Sequence, residues 1–114
     1  MKKLIYLTLS LFLIAGVATA SAQDTKKTET FKVDGNCDMC KGTIEGSLKK
    51  KDGILSKKWS KTTKELTVTF DTTKINLQQV AEKVAAAGYD NQYAKAPDSA
   101  YNSLHSCCQY DRAK

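Results

Sequence analysis

The chain has 114 residues, 41% of them apolar and 26% charged, and a formal net charge of +6. That length holds one small domain and leaves no room for a large catalytic fold. The lysines group at Lys26–Lys27, Lys49–Lys51 and Lys57–Lys58, spread along the chain as on a solvated face with minor attraction for an acidic partner, and nucleic acid is not the expected partner.

Met1-Lys2-Lys3 precedes an apolar run from Leu4 to Val17 and small residues from Ala18 to Ala22. These are the three parts of a secretory signal peptide, with Ala20 and Ala22 marking cleavage before Gln23. A run of about 14 apolar residues is short for a membrane span of ~20, and no cysteine stands near the cleavage point to carry a lipid. The expectation is an exported protein, most simply periplasmic, that loses residues 1–22; a fully secreted protein would read the same. Removing Lys2 and Lys3 lowers the net charge by two.

Residues 23–28 read as a polar lead-in, and residues 29–96 as the domain. Thr30 to Val33 alternates as a strand with Phe31 and Val33 on one face. Asp34 to Met39 is a loop. From Cys40 to Lys50 the period is helical, with Ile44 and Leu48 on one side and Gly53 as the stop. Ile54 to Ser60 is a second strand, Lys61–Lys64 a turn, and Glu65 to Phe70 a third strand with Leu66, Val68 and Phe70 facing one way. Lys57 shares a face with Trp59, and its stem is expected along the indole with the amine in water.

Asn76 and Gln79 form a capping box, and Ile75 and Val80 a hydrophobic staple, at the start of a second helix. Leu77, Val80, Ala81 and Val84 make its buried stripe, and Gly88 ends it. A last strand is expected near Tyr89–Ala96, closing at Pro97. The order β-α-β-β-α-β predicts an α+β, ferredoxin-like sandwich: an antiparallel four-stranded sheet with two helices on one face. The first and third strands would be central and the second an edge, where Lys57 and Lys58 discourage pairing with another chain.

Cys37 and Cys40 carry the strongest motif, Cys37-Asp38-Met39-Cys40. Two intervening residues let both sulfurs point at one ion, and a helix start favours thiolate. Sulfur selects soft ions: Cu(I), and also Zn(II) or Hg(II). Two ligands suit Cu(I), whereas a closed zinc site wants four. A local disulfide and a redox pair are the plain alternatives in an exported chain.

Residues 97–114 form a tail that the βαββαβ unit does not need. It holds the single histidine, His105, and the remaining cysteines, Cys107 and Cys108. His105 and Cys108 are three apart and can meet on one side of a short helix; adjacent cysteines rarely bridge each other. The last strand starts near the metal loop and ends at the opposite end of the sheet, so Pro97 is expected far from Cys37. Ten extended residues cover ~30 Å, so the tail can still return, over the sheet face that the helices leave open. Three outcomes stand: additional metal ligands His105, Cys107 and Cys108 joining Cys37 and Cys40, a separate or intermolecular site, or a disulfide-bonded or disordered tail.

Cys-x-x-Cys after the first strand of such a unit, with Ile44, Leu48, Gly53 and Ala87-Gly88-Tyr89 at matching places, resembles the heavy-metal-associated domain family over residues 29–96. That family includes copper chaperones, the N-terminal domains of copper-pumping ATPases and periplasmic mercury-binding proteins. The resemblance implies metal ligands at Cys37 and Cys40 and an aromatic cover at Tyr89. Asp38 stands with Tyr89 in the surroundings of the ion and would shape docking. Gly35-Asn36-Cys37 is one residue shorter than the family's Gly-Met-x-Cys and lacks its methionine; Met39 is not a simple replacement.

The expected function is binding and carriage of a soft ion, Cu(I) first, by a chaperone or scavenger that is not an enzyme. Its partner would be a metal-exporting membrane transporter, another metal-binding domain, or a second copy bridged through metal. The alternatives are a mercury or zinc protein on the same fold, a thiol–disulfide oxidoreductase with Cys37 as nucleophile, and an interaction module linked through the tail cysteines.

Overall fold

The computed structural model describes residues 25–112, so the signal-peptide reading of residues 1–22 lies outside the described residues. The elements are β1 (Lys26–Lys32), α1 (Asp38–Gly46), a 3-10 turn at Lys50–Asp52, β2 (Ile54–Trp59), β3 (Glu65–Asp71), α2 (Leu77–Ala86), α3 (Asp98–Asn102) and a 3-10 turn at Ser106–Cys108. β1 starts at Lys26, inside the stretch read as lead-in: its first residues pair with β3, Lys26 opposite Asp71 and Lys27 opposite Phe70.

Among the described residues the sheet has three antiparallel strands in the order β1-β3-β2. β3 is central and β2 an edge, as expected. The fourth strand is not formed. Residues 89–96 touch β1's end through one bridge, Val33 to Asn91, and through Gln92 N–H donating to the Lys32 carbonyl at 3.0 Å. The Asn91 side chain then accepts from the N–H groups of Tyr93 (3.1 Å) and Ala94 (3.0 Å), and Asn91 N–H donates to the Ala94 carbonyl at 2.9 Å. That turn, of the kind asparagine favours, bends the chain back before a ladder can extend. β1 is therefore an edge along most of its length, and not a central strand.

The core forms where the periodicities meet. Phe31, Val33, Leu66, Val68 and Phe70 from the sheet, Ile44 from α1, Val80, Ala81 and Val84 from α2, and Leu48, Trp59 and Ile75 are buried in one cluster. Burying a side chain of this size contributes ~1.5–3 kcal/mol. The capping box at Asn76 and Gln79 closes on both sides, at 2.8 and 3.0 Å, and Ile75 and Val80 are both buried behind it. The opposite face of the sheet is polar, with hydroxyl pairs Thr28–Thr69 (2.8 Å) and Thr30–Thr67 (3.1 Å) across β1 and β3.

Lys57 departs from expectation: its amine donates to the Leu48 carbonyl just beyond α1, so its side chain satisfies a carbonyl left open near a helix end. Lys64 is the lysine over the Trp59 ring, 5.5 Å from the centroid.

Candidate metal centre

The Cys37 loop is set by close packing. Trp59 Nε1–H donates to the Val33 carbonyl at 3.0 Å, which fixes the indole beneath Gly35. A Cβ on Gly35 would stand 2.8 Å from Trp59 Cζ2, so the loop lies directly on the ring. Cys37 occupies the cap position of α1 in extended conformation, and Cys40 lies in the first turn. Their sulfurs are 3.6 Å apart, and Asn36 N–H donates to Cys40 Sγ at 3.4 Å. The Cys40 backbone N–H is the largest influence on the Cys37 thiol, which is lowered to about 7. Free amides at a helix start favour a thiolate in this way.

The tail comes to the same place by a shorter path than the sequence implied. Because Asn91 turns the chain, Ala96 stays beside Asp90, its N–H donating to Asp90 Oδ1 at 2.7 Å. Pro97 therefore starts near the loop and not at the far end of the sheet. The tail does not cross the open sheet face; it packs on residues 88–90 and on α1. Gly88, at φ +111°, has Leu104 Cδ2 at 2.9 Å and the Ala100 carbonyl at 3.0 Å from where a Cβ would be. The Tyr110 hydroxyl donates to the Gly88 carbonyl (2.8 Å) and accepts from Asp90 N–H (2.7 Å). Tyr89 and Tyr110 stack at 5.9 Å, and Tyr101 meets Tyr110 edge-on at 5.1 Å.

This docking places Cys108 with the pair: the sulfurs of Cys37, Cys40 and Cys108 all lie within 4.8 Å of one another. Cys40 and Cys108 are buried, and Cys37 is half-buried. Burial, followed by the Cys40 side chain, pushes the Cys108 thiol up to about 12 in the metal-free protein. Cys107 is exposed and outside the trio. Its sulfur lies 3.7 Å from Met39 Sδ, and its carbonyl accepts from Asn36 Nδ2 at 3.3 Å and from Cys37 Sγ at 3.8 Å.

The other residues read from sequence divide. Tyr89 is fully buried. Its hydroxyl makes no hydrogen bond, and burial, then the neighbouring Cys108 side chain, raises its pKa. Asp38 turns to solvent, its carboxylate 3.5 Å from Lys61. His105 is exposed; it is outside the sulfur group and contributes its carbonyl to Cys108 N–H at 2.8 Å. All four cysteines are free thiols.

Sequence reasoning missed the residues that hold the tail in place. Arg112 grips Asp90 at two points, Nε to Oδ2 at 2.8 Å and Nη2 to Oδ1 at 2.9 Å, and donates to the Ala96 carbonyl at 2.7 Å. One signal was available: in a chain whose other basic residues are lysines, Arg112 is the single arginine, and arginine is the residue suited to bidentate pairing.

The model of the heavy-metal-associated domain matches residues 30–90. A copper chaperone, CopZ, of Staphylococcus saprophyticus is 34% identical over 64 residues, 55% of this chain and 94% of that protein. The mercuric transport protein periplasmic component of Shewanella putrefaciens is 34% identical over 72% of this chain and 91% of its own length. A zinc-transporting ATPase of Synechocystis is 38% identical over 55% of this chain, which spans only 9% of the ATPase. The solved structure of oxidised MerP from Ralstonia metallidurans superposes with a TM-score of 0.55 at 28% identity, covering 61% of this chain and 99% of that one.

Proposed function

This chain belongs to the heavy-metal-associated domain family, and from that premise we propose that it binds and carries a soft metal ion, Cu(I) first, between Cys37 and Cys40. The observation that carries this is the pair of sulfurs 3.6 Å apart at the start of α1, on a loop backed by Trp59. Thiolate sulfur takes Cu(I), Hg(II) and Zn(II), and the similar proteins include ones named for each. Cu(I) is preferred because it accepts few ligands and needs no fourth donor, as a closed zinc site does.

The ion is cargo in this reading, passed by exchange of thiolates with a second cysteine pair on a metal-exporting transporter or another metal-binding domain. The chain is then a carrier or scavenger and not an enzyme. The charged, apolar and small-residue succession of residues 1–22 and the likeness to a periplasmic transport component support an exported location.

Anaerobic titration of the reduced protein with Cu(I) against a competing chelator, with Hg(II) and Zn(II) in parallel, tests this. One-to-one Cu(I) binding that disappears in Cys37→Ser is expected. Firm Hg(II) or Zn(II) binding with no competition for Cu(I) would move the function to that ion. Turnover of insulin disulfides without metal binding would replace carriage by redox chemistry.

A further inference from the structure

We infer that the C-terminal tail supplies a third metal ligand, Cys108, so that the ion is held by three thiolates and is clasped by the tail. The inference rests on the proposed soft-metal site and extends it to residues beyond 30–90, the part that the family model matches.

The sulfur spacing comes first. With metal–sulfur bonds of about 2.3 Å, two sulfurs facing each other across one ion stand about 4.6 Å apart, and two sulfurs of a planar three-ligand site about 4.0 Å. Cys37 and Cys40 are 3.6 Å apart, which subtends roughly 100° at such bond lengths. That angle leaves one side of the ion open. Cys108 Sγ lies within 4.8 Å of both, so an ion in contact with the pair has a third sulfur within a small adjustment of bonding distance.

The second observation does not depend on the sulfur–sulfur spacing. Tyr89 is fully buried, and its hydroxyl lies near the Cys108 and Thr43 side chains without reaching hydrogen-bond geometry with either. A buried donor without an acceptor costs ~1–3 kcal/mol, and such atoms in folded proteins have a reason. A Cys108 thiolate bound to metal is an acceptor of the missing kind. The O–H of Tyr89 would then stabilise the ligand electrostatically and orient it, as outer groups do at other metal sites.

The third observation is that the tail is built to stay. The two-point Arg112–Asp90 pair, the Tyr110 hydroxyl across Gly88 and Asp90, and Leu104 over Gly88 fix the segment on either side of Cys108. They position the sulfur without touching the ion. The Cys107 sulfur is exposed, 3.7 Å from Met39 Sδ and 3.9 Å from Cys108 Sγ, and falls outside the three sulfurs that all lie within 4.8 Å of one another.

X-ray absorption on the reduced, Cu(I)-loaded full chain reads the coordination directly. Three sulfurs in the wild type and in Cys107→Ser, and two in Cys108→Ser, are expected. Cys108→Ser should still bind one Cu(I) but lose at least about tenfold in affinity against a chelator. Amide exchange gives a second readout: Cu(I) should slow exchange across residues 98–112 in the wild type and have no such effect in Cys108→Ser. Two sulfurs in the wild type, or a third sulfur lost in Cys107→Ser and kept in Cys108→Ser, overturns the inference and leaves binding at Cys37 and Cys40 intact. Absence of Cu(I) binding in the wild type would instead remove the function on which the inference rests.

Discussion

Arg112 and Asp90 make a two-point ion pair, 2.8 and 2.9 Å long, that joins the end of the chain to the residue just after Tyr89. Both side chains are largely withdrawn from solvent, at 17% and 12% exposure, so the pair escapes most of the screening that makes surface pairs nearly worthless. Arg112→Ala leaves the Asp90 carboxylate without its main partner. A loss of stability is expected, concentrated in residues 98–112, because the charged carboxylate loses its two hydrogen bonds. Urea unfolding of the metal-free protein and amide exchange of that segment measure it.

Acid should release the same segment. Hydrogen bonding to Arg112 holds the Asp90 carboxyl below its ordinary value of 3.8. A group depressed on folding adds stability that is complete above its unfolded pKa and is lost as pH falls through the folded one. Asp34 acts in the opposite sense, raised by burial and then by the Asp90 charge, so its protonation partly offsets the loss. Tail protection should therefore persist from neutrality to about pH 4 and fall below it. Asp90→Asn should be weaker at neutral pH and flatter in acid. Protection of residues 98–112 that stays constant through the acid range, after correction for the intrinsic pH dependence of amide exchange, would refute this.

In reduced, metal-free protein, Cys37 should be the first cysteine alkylated. Its thiol, lowered to about 7 by the Cys40 backbone N–H, is half thiolate near neutrality, and thiolate is the reacting form. Cys108, buried and pushed up to about 12, should resist until the tail is released. Site-resolved mass spectrometry after brief iodoacetamide treatment across the pH range reads both, and preferential labelling of Cys108 would contradict the docked tail.

Gly88→Ala should be costly for two separable reasons. Its φ of +111° is strained for a residue with a side chain, at about 1–3 kcal/mol, and the new Cβ would meet Leu104 at 2.9 Å. The double variant with Leu104→Ala should recover part of the loss by relieving the Leu104 contact while leaving the strain and the Ala100 carbonyl at 3.0 Å. Equal melting temperatures for the wild type and Gly88→Ala would show that the tail does not rest on this residue.

Features that depend on near neighbours in sequence were readable before any coordinates. The alternation of Leu66, Val68 and Phe70, the Asn76–Gln79 box and the Cys37–Cys40 spacing each state their geometry within a few residues. The same reasoning failed at Tyr89–Ala96, where a single side chain, Asn91, competes for the backbone N–H groups that a fourth strand would have used. Tail placement was open in principle because Arg112 and Asp90 lie 22 positions apart and their pairing leaves no periodic trace. Of the tail residues held in view as ligands, Cys108 reaches the pair and His105 does not: the Ser106–Cys108 turn leaves His105 on the solvent side.

The turn at Asn91 also sets the length of the tether that carries Cys108. In chain-statistical terms, Asp90 and Arg112 are the clasped ends of a loop, and widening such a loop is cheap, ~0.6 kcal/mol for each doubling. Yet the stretch Gln92–Ala94 is not slack, since Tyr93 and Ala94 N–H are held by the Asn91 side chain and Tyr93 lies 5.5 Å from the Phe31 ring. A single residue added between Leu104 and Cys108 would rotate the thiol away from Cys40 and also shift the buried Cys108 and Tyr110 out of register with the core. Stability and ligation thus draw on the same loop, and both stretches of it are counted to the residue.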